Sequence, residues 1–301
     1  MLHELSIQEA YINLFNRQKS IPELKYSCSG IAAYIGELAP SSKHYINTDK
    51  FIKHITLDRS LGLPQTCPMS CDYCPNYKTH NTHHTNNIRG VLSDDHKEYL
   101  KHDANINYDN NITPSILFGG PTDPTLYTDT IIDILDFYRT EVTIDQDIWF
   151  HSYTTGLFLT EDKIKALVDS GLSEMIFHLG ASNFSEEAYH AIETARLYMN
   201  TITVETPSWS AHKNKLYKML PRLEALGVDH LNLTSIDINN NNKNRITTGS
   251  YYKAYNNVLD DDGLVYDIMR TVIDKKYSYS VFDLNNFVVM HSQGEARQTV
   301  I

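Results

Sequence analysis

The sequence predicts an α/β fold, a partial (β/α)6 TIM-type barrel with variable N- and C-terminal extensions. Three observations predict it. Short apolar runs alternate with amphipathic helical patterns from residue 54 to residue 237. The runs are apolar on both sides near their centres, as in parallel strands covered by helices. The chain has 301 residues, 41% hydrophobic and 21% charged, which suits one α/β barrel with a packed core. The pattern divides the chain into an extension at 1–50, a core at 51–240 and a capping extension at 241–301, as one domain overall.

The elements follow in order. One amphipathic helix is expected near 6–18 in an otherwise irregular N-terminal segment. Residues 54–58 alternate and read as the first strand. Residues 76–113 are rich in Asn, His, Thr and Asp and read as a loop with one short helix at 93–102, capped by Ser93. The second strand, 115–120, precedes a helix through Ile131, Ile132, Leu135 and Tyr138. The third, 147–153, precedes a helix capped by Thr160 and stopped by Gly171. The fourth, 173–180, precedes a helix capped by Ser185. The fifth, 200–206, precedes a helix through Leu216, Met219, Leu223 and Leu226. The sixth, 229–237, closes the series. Strands alternating with helices imply a parallel sheet, with ligands at the C-terminal strand ends. Beyond it, 239–244 reads as a loop, 261–276 as a helix, and two apolar runs near the end as a hairpin-like pair. Tyr251, Tyr252 and Tyr255 fall at helical spacing and read as packing.

The formal net charge is -11, from 26 Lys+Arg against 37 Asp+Glu, and no basic run interrupts it. That argues against nucleic acid as a partner. No apolar stretch approaches the roughly 20 residues of a membrane span. The first residues do not pattern as a signal peptide, so a cytoplasmic protein with reduced thiols is expected.

The four cysteines are unevenly placed. Cys28 stands alone, whereas Cys67, Cys71 and Cys74 form a C-x3-C-x2-C loop directly after the first expected strand. Thiolates are soft ligands for zinc or iron–sulfur centres. Zinc sites and ordinary ferredoxin clusters take four protein ligands. Three ligands leave one position open to a substrate. The alternative is a structural zinc loop completed by Cys28 or by one of His80, His83 and His84.

This spacing resembles the signature of the radical SAM superfamily. The resemblance implies a [4Fe-4S] cluster on Cys67, Cys71 and Cys74, whose fourth iron chelates S-adenosylmethionine. It further implies reductive cleavage to a 5'-deoxyadenosyl radical that abstracts hydrogen from a substrate. Tyr73, before the third cysteine, stands where the family carries an aromatic residue against the adenine. The second strand ends in Gly119, Gly120, Pro121, Thr122, Asp123 and Pro124, which resembles the family's Gly-Gly-Glu-Pro element. Two residues are inserted, and Asp123 replaces the usual Glu. Thr154, Thr155 and Gly156 look like the family's Thr-Asn-Gly segment with Thr155 in place of Asn. His178 matches a ribose-contacting position, and Glu205 ends the fifth strand as a further candidate contact. The His-rich loop around His80, His83, His84, His96 and His102 fits no standard ligand spacing and reads as solvated.

No cysteine follows Cys74, so no second cluster is expected. The resemblance implies a small-molecule or peptide substrate and an electron donor such as flavodoxin or ferredoxin. Two alternatives stay open: an activating protein for a glycyl radical enzyme, and a cluster- or zinc-bearing binding or sensor protein. Cys28 is a speculative hydrogen donor; a buried structural thiol is the plainer role.

Overall fold

The computed structural model describes residues 2–5, 16–26, 33–37, 67–74, 94, 95, 97, 98, 100–102, 115–119, 122–142, 148–234, 236, 238–246, 249–254, 257–260 and 264–283. The chain divides into two compact units. One comprises residues 40–69 and 78–203; the other comprises residues 1–39, 70–77 and 204–301.

In the first of these, parallel strands alternate with helices as the sequence predicts. Strand β4 (Ser115–Phe118) pairs with β5 (Trp149–Thr154), and β5 pairs with β6 (Glu174–His178). Helix α1 (Thr128–Glu141) follows β4, α2 (Glu161–Asp169) follows β5 and α3 (Glu186–Arg196) follows β6. The caps are those read from sequence. The Thr160 hydroxyl accepts from the Lys163 amide, and the Ser185 hydroxyl accepts from the Ala188 amide. Gly171 leaves α2 at φ +107°, the left-handed region that suits glycine. Helix α1 buries Ile131, Ile134, Leu135, Phe137 and Tyr138.

Strands β5 and β6 depart from the expected all-apolar pattern: His151, Ser152, Thr154 and Glu174 are buried among their apolar residues. His151 lies opposite Glu174 and Tyr153 opposite Ile176. Buried Glu174 accepts from Trp149 Nε1 at 2.9 Å and from the Thr203 hydroxyl. Met175 and Phe177, on the alternate face, are fully buried.

The other unit holds β7 from Val204 on (strand Thr201–Pro207), α4 (Lys213–Ala225), β8 (His230–Thr234), α5 (Leu264–Lys275) and β11 (Ser280–Asp283). Strand β11 runs parallel to β8, with Ser280 opposite His230. It also pairs antiparallel with β3 (Ala33–Ile35), which pairs with β2 (Lys25–Tyr26). The hairpin expected near the end is thus replaced, over its described arm, by one more β/α crossover. The reason lies in the preceding amphipathic helix, whose buried Leu264, Val265, Ile268, Met269 and Val272 form a crossover face. Tyr266 ties this together: its hydroxyl donates to buried Asp283 and accepts from Gln18 Nε2 at 3.0 Å.

A second, three-stranded sheet joins β1 (Leu2–Leu5), β9 (Gly249–Ala254) and β10 (Asn257–Asp260). The N-terminal segment is therefore not wholly irregular. Tyr251 and Tyr252 lie in a strand, so their helical spacing was a coincidence of local sequence. Residues 6–15, the first expected strand at 54–58, Ser93, Tyr255 and the last apolar run lie outside the described residues.

Candidate functional site

The cysteine loop is packed through its aromatic residue. Tyr73 is 7% exposed and shares an apolar cluster with Trp209, Ile236, Ile238 and Ile246, against which Cys71 also packs. Trp209 and His212 meet the Tyr73 ring edge-on, at centroid distances of 6.4 and 6.0 Å. Trp209 and His212 lie 5.0 Å apart. The loop turns through the Cys74 amide, which donates to the Cys71 carbonyl. Asn242 Nδ2 donates to the Tyr73 carbonyl at 2.8 Å. Arg245 donates to the Cys71 carbonyl at 3.3 Å and pairs with Asp72.

Burial, followed by the negative charge available to Cys71 and Cys74, holds the Tyr73 phenol well above its ordinary value. The ring is therefore neutral at any working pH. Burial lowers the His212 imidazole, and the Lys215 cation adds to it against the smaller pull of Asp72. Cys67, half-buried, has its thiol pushed up first by burial and then by the Asp123 charge; the Met69 backbone and Thr122 hydroxyl oppose this.

Two polar atoms near these elements are buried without a hydrogen-bond partner among the described residues, Trp209 Nε1 and Thr206 Oγ1. Orphaned donors are rare in finished interiors. An indole N–H beside a cysteine loop suits a sulfur acceptor, and three soft thiols in one loop suit iron–sulfur chemistry. The donor set fits a cluster. Among the described residues no three His, Cys, Asp or Glu side chains are already gathered around a metal-sized space. Thiolate sites take up their final geometry together with the metal.

The strand-end candidates form a second constellation around Asp123. This carboxylate is 4% exposed. Its Oδ1 accepts from the Thr125 amide at 2.9 Å and from the Thr125 hydroxyl at 2.6 Å. Its Oδ2 accepts from the Thr155 amide at 2.7 Å and from the Thr155 hydroxyl at 2.6 Å. Thr154 lies beside it, its hydroxyl accepting from the Gly156 amide at 2.9 Å. Both Asp123 oxygens thus have internal donors, and the residue works as a brace between the β4 and β5 ends. Gly156 makes the turn possible: its φ is +82°, and a Cβ there would stand 3.2 Å from Ala188 Cα. A Cβ on Gly119 would meet Tyr153 at 3.3 Å.

His178 ends β6, and its Nδ1 accepts from the Ala181 amide at 3.2 Å. Burial lowers the imidazole to about 4, outweighing the opposing pull of Asp123. The ring keeps some accessible surface; the density of packed atoms around it sets the shift. It is neutral at pH 7. Glu205 is 7% exposed, and Asn232 Nδ2 stands 3.5 Å away, at the outer edge of hydrogen bonding. Gly120, Pro121, Cys28, His80, His83, His84 and His96 lie outside the described residues; His102 is exposed. Sequence reasoning missed Trp209, His212, Asn242 and Arg245. Trp209 alone carried a signal, as one of two tryptophans and just past a strand end.

No family model and no curated protein matches the sequence. Solved structures do. SuiB of Streptococcus suis bound to S-adenosylmethionine aligns at TM-score 0.50 and 12% identity, covering 92% of this chain and 60% of that one. Native anSMEcpe with bound AdoMet and Cp18Cys peptide aligns at TM-score 0.45 and 17% identity, over 60% of this chain and 50% of that one. The chain shares the mixed α/β fold of SuiB and spans about half to three-fifths of the length of these structures. Among the described residues no helix is long and apolar enough to cross a membrane.

Proposed function

We propose that this protein is a radical SAM enzyme. In this reading Cys67, Cys71 and Cys74 hold a [4Fe-4S] cluster, S-adenosylmethionine is the cosubstrate, and the substrate is a small molecule or a peptide. The observation that carries it is the C-x3-C-x2-C loop whose aromatic residue, Tyr73, is buried in an apolar cluster with Trp209, Ile236, Ile238 and Ile246, against which Cys71 packs. A solvated zinc loop has no need to bury its spacer residues. The SuiB structure, whose fold this chain shares, carries bound S-adenosylmethionine, which supports the cosubstrate.

Cys67, Cys71 and Cys74 would hold the cluster, which when bound and reduced would supply the electron for cleavage of the sulfonium bond. The chain's own residues prepare the ground. Tyr73, Trp209 and His212 exclude water from the inner side of the loop, where a low dielectric strengthens every charge interaction. Asp123 fixes the β4 and β5 ends that carry Gly119 and Thr154. Gly119 is buried where a side chain would press on Tyr153 and Leu117. Neutral His178 and buried Glu205 are offered as polar contacts to the ligand, and Thr206 Oγ1 as an unused one. An external reductant such as flavodoxin or ferredoxin is the proposed electron source.

The test is anaerobic reconstitution with iron and sulfide, followed by dithionite and S-adenosylmethionine. The expected result is about four irons per chain and formation of 5'-deoxyadenosine, both lost in Cys71→Ala. A fully loaded protein that makes no 5'-deoxyadenosine overturns the enzyme reading. Stoichiometric zinc in the protein as isolated, with no uptake of iron, overturns the cluster itself.

A further inference from the structure

The asparagine-rich run 239–244 reads from sequence as an ordinary loop, yet its atoms are tightly arranged. Asn242 is fully buried. Its Oδ1 accepts from the Asn239 amide at 2.8 Å, and its carbonyl accepts from the Arg245 amide at 2.8 Å. Asn239 Oδ1 accepts from the Asn241 amide at 2.8 Å. These side-chain-to-backbone bonds set the loop's shape without help from a helix or strand. Ile238 and Ile246 bracket it, and both insert beneath Tyr73. The loop then reaches 169 positions back along the chain, where Asn242 Nδ2 bonds the Tyr73 carbonyl. Arg245 caps the Cys71 carbonyl and pairs with Asp72. Lys243 and Asn244, which touch neither, are exposed.

We propose that Asn242 and Arg245 are positioning residues for the cysteine loop: Asn242 fixes its backbone, and Arg245 neutralises Asp72 and thereby sets the reduction potential of the bound cluster. The proposal rests on the radical SAM reading. Its physics is simple. Reduction adds one negative charge to the cluster, and cluster potentials follow net local charge, hydrogen bonding and solvent exposure. Asp72 sits between two cysteine ligands and disfavours that extra charge. A guanidinium held against both Asp72 and the Cys71 carbonyl offsets that penalty; Arg245 is half-buried and Asp72 exposed, so water screens part of the effect. Asn242 contributes no charge. It keeps the Tyr73 carbonyl satisfied, so that the loop holds one conformation in the absence of the cluster as well.

Two measurements test it. The first is an EPR-monitored redox titration of the reconstituted protein. Arg245→Gln should move the midpoint to a more negative potential, Asp72→Asn to a more positive one, and the double variant back toward the starting value. Arg245→Lys, which keeps the charge, should stay close to the parent. Fully loaded single variants with unchanged midpoints overturn the electrostatic role and leave the cluster reading intact. The second is amide hydrogen exchange in the cluster-free chain. Asn242→Asp keeps the acceptor used by Asn239 but has no donor for Tyr73. It should raise exchange at residues 71–74 several-fold while α4 stays protected. Unchanged exchange there overturns the clasp. A parent protein that takes up no cluster overturns the radical SAM reading and the electrostatic role together, and the exchange result still decides the clasp.

Discussion

Two constellations carry the candidate chemistry, and they are built on opposite principles. The cysteine loop is held by apolar packing, with Tyr73 set among Trp209, Ile236, Ile238 and Ile246, and two polar pins from residues 242 and 245. The Asp123 constellation is held by polar bonds, with one carboxylate taking four donors from Thr125 and Thr155. The first sets a thiol, that of Cys71, against its apolar cluster and spends no charged group on holding the loop's aromatic residue. The second uses up its charged group internally and leaves backbone and neutral side chains for any ligand.

The largest expected effect tests the platform. Asp123→Ala strands four donors, two of them amides, in a buried setting, and should cost about 4 kcal/mol in denaturant melts. A loss below about 1 kcal/mol would mean that packing, not the carboxylate, holds the β4 and β5 ends. The matching change on the loop side is Ile246→Ala. Ile246 is fully buried, so truncation should cost about 3 kcal/mol and loosen Tyr73, seen as raised exchange at residues 71–74. If stability falls and the loop stays protected, the apolar cluster does not hold the loop.

Smaller effects sharpen the contrast. His178 has a folded value near 4 against an ordinary 6.5. The unfolded chain therefore takes up a proton that the folded ring refuses as pH falls through this window. Its share of stability is intact above about 6.5 and is lost progressively toward 4, by about 2 kcal/mol given the ring's partial exposure. His178→Gln should flatten that part of the stability profile; an unaltered profile would assign the acid sensitivity elsewhere. Last, Gly156→Ala should cost about 2 kcal/mol, because a positive φ and a crowded Ala188 both oppose it. Gly171→Ala should cost only about 1 kcal/mol, since its Cβ meets nothing within 4 Å. Equal losses at the two glycines would remove Gly156 from the platform.

The sequence by itself determined the local alternation. Helix periodicity, the caps at Thr160 and Ser185 and the stop at Gly171 are properties of neighbouring residues, so the elements after β4, β5 and β6 were legible. The spacing of Cys67, Cys71 and Cys74 was legible for the same reason, because the ligand chemistry lies within eight positions. Only the tertiary structure decided what those elements meet. That residues 280–283 run parallel to β8 depends on where α5 packs its apolar face. That buried His151 and Glu174 come to lie opposite one another in β5 and β6 depends on register, which composition averages away. Asn242 illustrates the limit most clearly. In sequence it is one asparagine among several in a polar run. In the fold it is the buried donor to Tyr73, because a hydrogen bond is decided by distance in space and the two residues are 169 positions apart in the chain.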